Sequence, residues 1–163
     1  MRRDNRGVSL VEIVIVVAIL AVLGGVGIWG INAMSGKPAQ QCAQKIMYSL
    51  ERHRTTAMSK VDAEYWLIQK NNKVYVKERV LNGAGGGWTE SEVEIGASRV
   101  KVQYMLDSDP TPHDLPLKLV FDRSSGAFKQ QDGGGYCTRI VASRGGREFE
   151  VTLVPLTGKV YIK

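Results

Sequence analysis

The sequence predicts an α+β protein: a long N-terminal helix, membrane half plus amphipathic half, packed on an antiparallel β-sheet domain. Three observations predict it. An apolar run of 19 residues without a charge, Ile13 through Ile31, lies near the start of the chain. Apolar residues then recur at three- and four-residue spacing as far as Ala57, and beyond Lys60 the period becomes two. A long helix laid against an antiparallel sheet is the two-layer architecture that uses both patterns.

Length and charge set the frame. At 163 residues the chain is long enough for one domain with a modest core, and too short for two plus a membrane anchor. The net charge is +6, of which Arg2, Arg3 and Arg6 against Asp4 contribute a net two before Val8. The remaining excess is spread among acids, the pattern of a solvated surface rather than of a nucleic-acid stripe.

The uncharged run is long enough to cross a bilayer, because helical residues rise ~1.5 Å each against a hydrocarbon thickness of ~30 Å. Three arginines precede it and no base follows until Lys37. The positive-inside rule therefore keeps the N-terminus cytoplasmic and exports everything after residue 36. A secretory signal peptide fits poorly: its apolar region is shorter, about 7–15 residues, and GKPAQQ lacks a small-residue cleavage pattern. A plain signal anchor explains length and orientation but leaves Glu12 unexplained. An acid at membrane depth costs a few kcal/mol and calls for a partner. Gly25 to Gly30 matches the dinucleotide pattern G-x-G-x-x-G, but that motif needs a strand turning into a helix at a phosphate, and an apolar run offers none.

A cut between Gly7 and Val8 would place a new α-amine four residues before Glu12, on the same helical face. R-G-V-S-L-V-E ahead of a long apolar helix resembles the class III leader of type IV pilins and type II secretion pseudopilins. The resemblance implies that Gly7 ends the leader, that Val8 becomes the methylated N-terminus, and that Glu12 forms an assembly salt bridge with the N-terminal amine of a neighbouring subunit. It implies as partners a prepilin peptidase, other pilin or pseudopilin subunits, and an inner-membrane assembly platform. The implied domains are a leader over 1–7, a transmembrane assembly helix over 8–36 and an exported globular domain over 37–163. Two features depart from the family: Val8 stands where Phe or Met is usual, and the membrane run lacks proline. It carries Gly24, Gly25, Gly27 and Gly30 instead, each weaker in a helix by ~1 kcal/mol than Ala. They read either as a segment that unwinds during assembly or, with Ala21 and Gly25 at small-xxx-small spacing, as a close-packing face.

After Ser35-Gly36-Lys37-Pro38, the residues Ala39, Cys42, Ala43, Ile46, Leu50, His53 and Ala57 form one stripe of an amphipathic helix. It is expected to continue the membrane helix past an irregular joint at Gly36 and Pro38, with His53 as a satisfied interface residue. EYWLIQK, Asn71-Asn72 and KVYVKERVL read as a β-hairpin, since Asn tolerates the positive φ of a tight turn. Further strands are expected at 93–96, 99–104, 117–121, 137–142, 148–154 and 159–163. LVFDRSSGAF and VTLVPLTGKVYIK resemble the ending of H-type minor pseudopilins and FimT-type minor pilins, through Phe121, Gly126, Thr157, Gly158 and Lys159.

Catalytic constellations find no support. His53 and His113 stand far apart in different contexts, and no G-x-S-x-G, P-loop or H-E-x-x-H occurs. Asp107, Asp109, His113 and Asp114 could gather around Ca²⁺, although their spacing is not that of an EF-hand and a solvated acidic loop is the alternative. Cys42 and Cys137 would, if bridged in an oxidising compartment, staple helix to sheet for ~4 kcal/mol, or else remain two free buried thiols. No cofactor is predicted. The expected function is a non-catalytic minor pilin or pseudopilin. The alternatives are a DNA-uptake minor pilin contacting phosphates through Lys129, Arg139, Arg144 and Arg147, and a membrane-anchored enzyme or receptor, for which no residue set speaks.

Overall fold

A computed structural model describes residues 10–34, 36–59, 62–81 and 86–163, and within 23–34 the backbone alone. The chain divides between Ser35 and Gly36 into two compact units. The first contributes α1 (Leu10–Met34), 25 residues with a helical backbone through Gly24, Gly25, Gly27 and Gly30.

The second unit opens with α2 (Lys37–Met58), whose N-cap is Gly36 and whose first turn holds Pro38. Proline is tolerated there because a first-turn N–H has no intrahelical acceptor to lose. The expected stripe is the buried face, residue for residue: Ala39, Cys42, Ala43, Ile46, Leu50, His53 and Ala57. Its first half is small, so the strands approach closely. A Cβ placed on Gly96 would lie 2.8 Å from Val74 Cβ and 3.0 Å from Cys42 Sγ.

Nine strands follow among the described residues: β1 (Ala63–Lys70), β2 (Lys73–Leu81), β3 (Trp88–Gly96), β4 (Lys101–Leu106), β5 (His113–Asp114), β6 (Leu117–Leu119), β7 (Cys137–Arg144), β8 (Arg147–Val154) and β9 (Lys159–Ile162). They form two antiparallel sheets, ordered β3-β2-β1-β6 and β5-β4-β7-β8-β9. The hairpin at Asn71 and Asn72 is as expected, with φ of 51° and 59° and Lys70 paired to Lys73. Positive φ at both turn residues matches the right-handed twist of the flanking strands.

Strand limits depart from the sequence reading for identifiable reasons. β3 begins at Trp88, five residues before the expected 93, because it is an edge strand held by charge rather than by apolar alternation. Glu90 meets Lys77 at 2.9 Å and Arg79 at 2.7 Å, and Glu94 meets Lys73 at 2.8 Å. β4 starts at Lys101, not Arg99, since Arg99 takes a φ of 68° and donates its N–H to Asn72 O at 3.2 Å. β6 ends at Leu119, and Phe121 instead bridges Phe128, their rings 4.5 Å apart.

The core lies beneath α2. Tyr65, Leu67, Val74 and Val76 come from the first sheet, and Val102, Ile140, Ala142, Val151 and Leu153 from the second. Ile46 and Leu50 of α2 enter the same cluster, and burying each large aliphatic side chain contributes about 1.5–3 kcal/mol. Tyr65 is fully buried, and its hydroxyl shares a hydrogen bond of 2.7 Å with that of Ser49. That bond removes the penalty an unpartnered phenol would carry.

Candidate assembly surface

α1 is the surface that sets this chain apart. Each of the ten large aliphatic side chains between Leu10 and Val22 leaves half or more of its area exposed. They occupy every side of the helix, and a helix that is apolar all round is stable only inside protein or lipid. Glu12, in the first turn, is the one charge between Leu10 and Val22. It has no ion-pair partner among the described residues. Its position is electrostatically reasonable, because the N-terminal end of a helix carries partial positive charge. Among the described residues no helix is long and apolar enough to cross a membrane. The described side chains of α1 stop at Val22, short of the ~20 residues a span requires. Gly7 and Val8 lie outside the described residues.

In the second unit, an open groove of about 360 Å³ runs between α2 and the β2–β3 pair, with Tyr48 and Val93 exposed on its rim. Behind it lies a polar cluster. Arg52 pairs with Glu78, whose second oxygen is 3.9 Å from His53 Nδ1. His53 is buried between Tyr65 and Phe121, at ring separations of 5.4 and 5.9 Å. Burial holds its pKa below the ordinary histidine value, with the Glu78 carboxylate pulling the other way. Its Nε2 has no hydrogen-bond partner among the described residues, and neither has the Glu78 oxygen that faces Nδ1 at 3.9 Å, so the expectation of a satisfied histidine is not met by a side-chain hydrogen bond. His53 itself is closed off from the groove, and the cluster reads as structural.

The remaining sequence candidates do not converge. Cys42 and Cys137 are free and buried, and burial pushes each thiol up to about 12. The expected staple is absent because the two belong to different layers: Cys42 faces Val74 and Gly96 of the first sheet, while Cys137 opens β7 in the second. Asp107 accepts from Tyr136 N–H at 2.7 Å, Asp109 from Thr111 N–H at 3.0 Å, and Asp114 from Gln103 at 2.9 Å. His113 turns to Asp109, 3.2 Å away, and stacks on Tyr104. No cation-binding group of three occurs among the described residues, because each carboxylate is already engaged in its own direction.

The basic residues separate as well. Arg139 and Arg144 are an odd number of positions apart on β7, so strand alternation sends them to opposite faces. Arg139 lies 3.8 Å from Glu150, whereas Arg144 opposes Arg147 across the β7–β8 hairpin. Lys129 follows the Phe121–Phe128 bridge beside Lys118. No single phosphate-binding face results.

One residue escaped the sequence reading. Arg54 donates from Nε to Gly126 O at 3.1 Å, tying α2 to the Phe121–Gly126 turn. No local signal marks it, since it flanks the buried stripe like any solvated arginine.

Residues 2–28 match the family model of the prokaryotic N-terminal methylation motif. No curated protein and no solved structure matches the chain. The matched segment covers Gly7, Val8 and Glu12 and most of the apolar run, and it supports the type IV pilin and pseudopilin resemblance that those residues carry.

Proposed function

We propose that this protein is a non-catalytic subunit of a type IV pilus or type II secretion pseudopilus, most like the H-type minor pseudopilins and FimT-type minor pilins. The observation that carries the reading is the apolar surface of α1 over Leu10–Val22, exposed all round and interrupted among those residues only by Glu12. A prepilin peptidase removes residues 1–7 at the cytoplasmic face and methylates Val8. Residues 8–36 then hold the chain in the inner membrane with residues 37–163 exported, until the assembly platform passes it into a filament. In the filament Glu12 pairs with the α-amine of Val8 on a neighbouring subunit. A carboxylate alone in low dielectric is costly, and one paired with an amine much less so. The requirement for pairing makes the acid a register mark as subunits stack.

Mass spectrometry of the membrane-extracted protein tests the processing step. Loss of residues 1–7 together with one added methyl group on Val8 is expected, and an intact N-terminus overturns the reading. Gly7→Val should leave the leader attached.

A further inference from the structure

One end of the second unit is crowded with cations that the fold, rather than the sequence, brings together. Lys37 starts α2 there, and the preceding Gly36 lies against the side chain of Arg147. Arg147 faces Arg144 across the β7–β8 hairpin. Lys101 pairs with Ser143 next to it in the same sheet. Arg99 precedes Lys101, and its N–H reaches Asn72 in the β1–β2 turn, so the lysines flanking that turn belong to this end too.

The pairing of these cations is uneven. Lys70, Lys73 and Lys101 each meet a carboxylate, of Glu92, Glu94 and Asp114 respectively. Lys37, Arg99, Arg144 and Arg147 make no ion pair among the described residues, and Glu148 is the carboxylate left nearby without one. Three of those four cations are exposed and Arg144 is half-buried.

The same end is where the chain arrives from α1. Met34 and Lys37 are three residues apart, a link of at most ~11 Å. We propose that this basic end binds the headgroups of anionic phospholipids at the membrane surface from which α1 emerges, an inference that rests on the membrane reading of α1. Headgroup layers are a few ångströms deep and charges act over a screening length of ~10 Å, so the tether keeps Lys37 and the adjoining Arg147 in range, with Arg144 and Arg99 reached across the β7–β8 and β4–β7 pairings. Membrane-held subunits would then wait with the domain seated on lipid, and entry into a filament would exchange headgroups for neighbouring subunits. Duplex DNA is the competing occupant, but Arg139 and Lys129, which a phosphate track along the late strands would use, lie away from this end.

The test uses the full-length chain reconstituted into phosphatidylcholine vesicles with or without phosphatidylglycerol. An environment-sensitive fluorophore is attached to Ser98→Cys, in the exposed loop before Arg99, and quenched by a nitroxide on lipid headgroups. Strong quenching is expected with phosphatidylglycerol, little without it, and loss at high salt. Each of Arg99→Gln, Arg144→Gln and Arg147→Gln should weaken it about fivefold, while the corresponding lysine variants retain it. Resistance to carbonate extraction reports insertion of α1 independently. Quenching that ignores phosphatidylglycerol or the triple glutamine change, in a chain that resists carbonate, overturns the headgroup inference and leaves the membrane reading standing. A chain extracted by carbonate overturns both. Quenching relieved by short duplex DNA but indifferent to phosphatidylglycerol assigns the surface to nucleic acid.

Discussion

The α-carbon of Gly158 is seated directly against the carbonyl oxygen of Gly126, so that no side chain fits between the two turns. Both glycines have positive φ, 64° and 68°, and Arg54 of α2 reaches the same carbonyl. The two turn motifs at the end of the chain are therefore one structural feature, closed by Phe128 N–H donating to Pro155 O at 2.9 Å. Gly158→Ala should destabilise the domain by about 2–4 kcal/mol, combining left-handed strain with overpacking. Arg54→Ala should cost about 1–2 kcal/mol through one lost hydrogen bond to a partly buried carbonyl. Urea unfolding checks both, and a neutral Gly158→Ala would show that the turns separate.

Glu12→Val is expected to insert and be cleaved normally, since removing an acid eases membrane entry. Incorporation into filaments should fall at least about tenfold, because on the proposed pairing the neighbouring α-amine would lose its counter-ion. The ratio of sheared to membrane-retained protein measures it. Equal incorporation would remove the register role from Glu12.

His53 couples stability to pH. Its pKa is depressed in the fold, so the unfolded chain takes up a proton near pH ~6.5 while the folded chain does not. The contribution is complete above that pH and is lost as pH falls from there toward the folded value, with a slope of up to ~1.4 kcal/mol per unit. His53→Gln should remove this slope in a comparison of unfolding at pH 7 and pH 5. Identical slopes in the two proteins would locate the pH dependence elsewhere.

The two thiols should be inert in the folded protein. With each pushed up to about 12 by burial, they are protonated at neutral pH and react with maleimide only as fast as the domain opens. Adding a reductant should leave the unfolding midpoint unchanged. A bridged form would instead lose ~4 kcal/mol on reduction, and that loss would restore the staple.

What the sequence by itself determined is what depends on near neighbours. The stripe from Ala39 to Ala57 was legible because helical periodicity repeats within a few residues, and the Asn71–Asn72 turn because two adjacent residues supply the positive φ it needs. The exposed apolar helix and its lone Glu12 are likewise plain in the composition of one segment. Tertiary structure decided whatever depends on distant residues meeting. β5 is a two-residue strand with no period to read, visible only because Gln103 and Tyr104 pair with it. Cys42 and Cys137 were an open pair until their sheets were known. Arg139 and Arg144 looked like neighbours in sequence, yet pleating separates them, while Arg99 and Arg147 come to one end through the β4–β7 and β7–β8 pairings. Charge is counted along a chain, but the field it makes is set by which strand ends the core draws together.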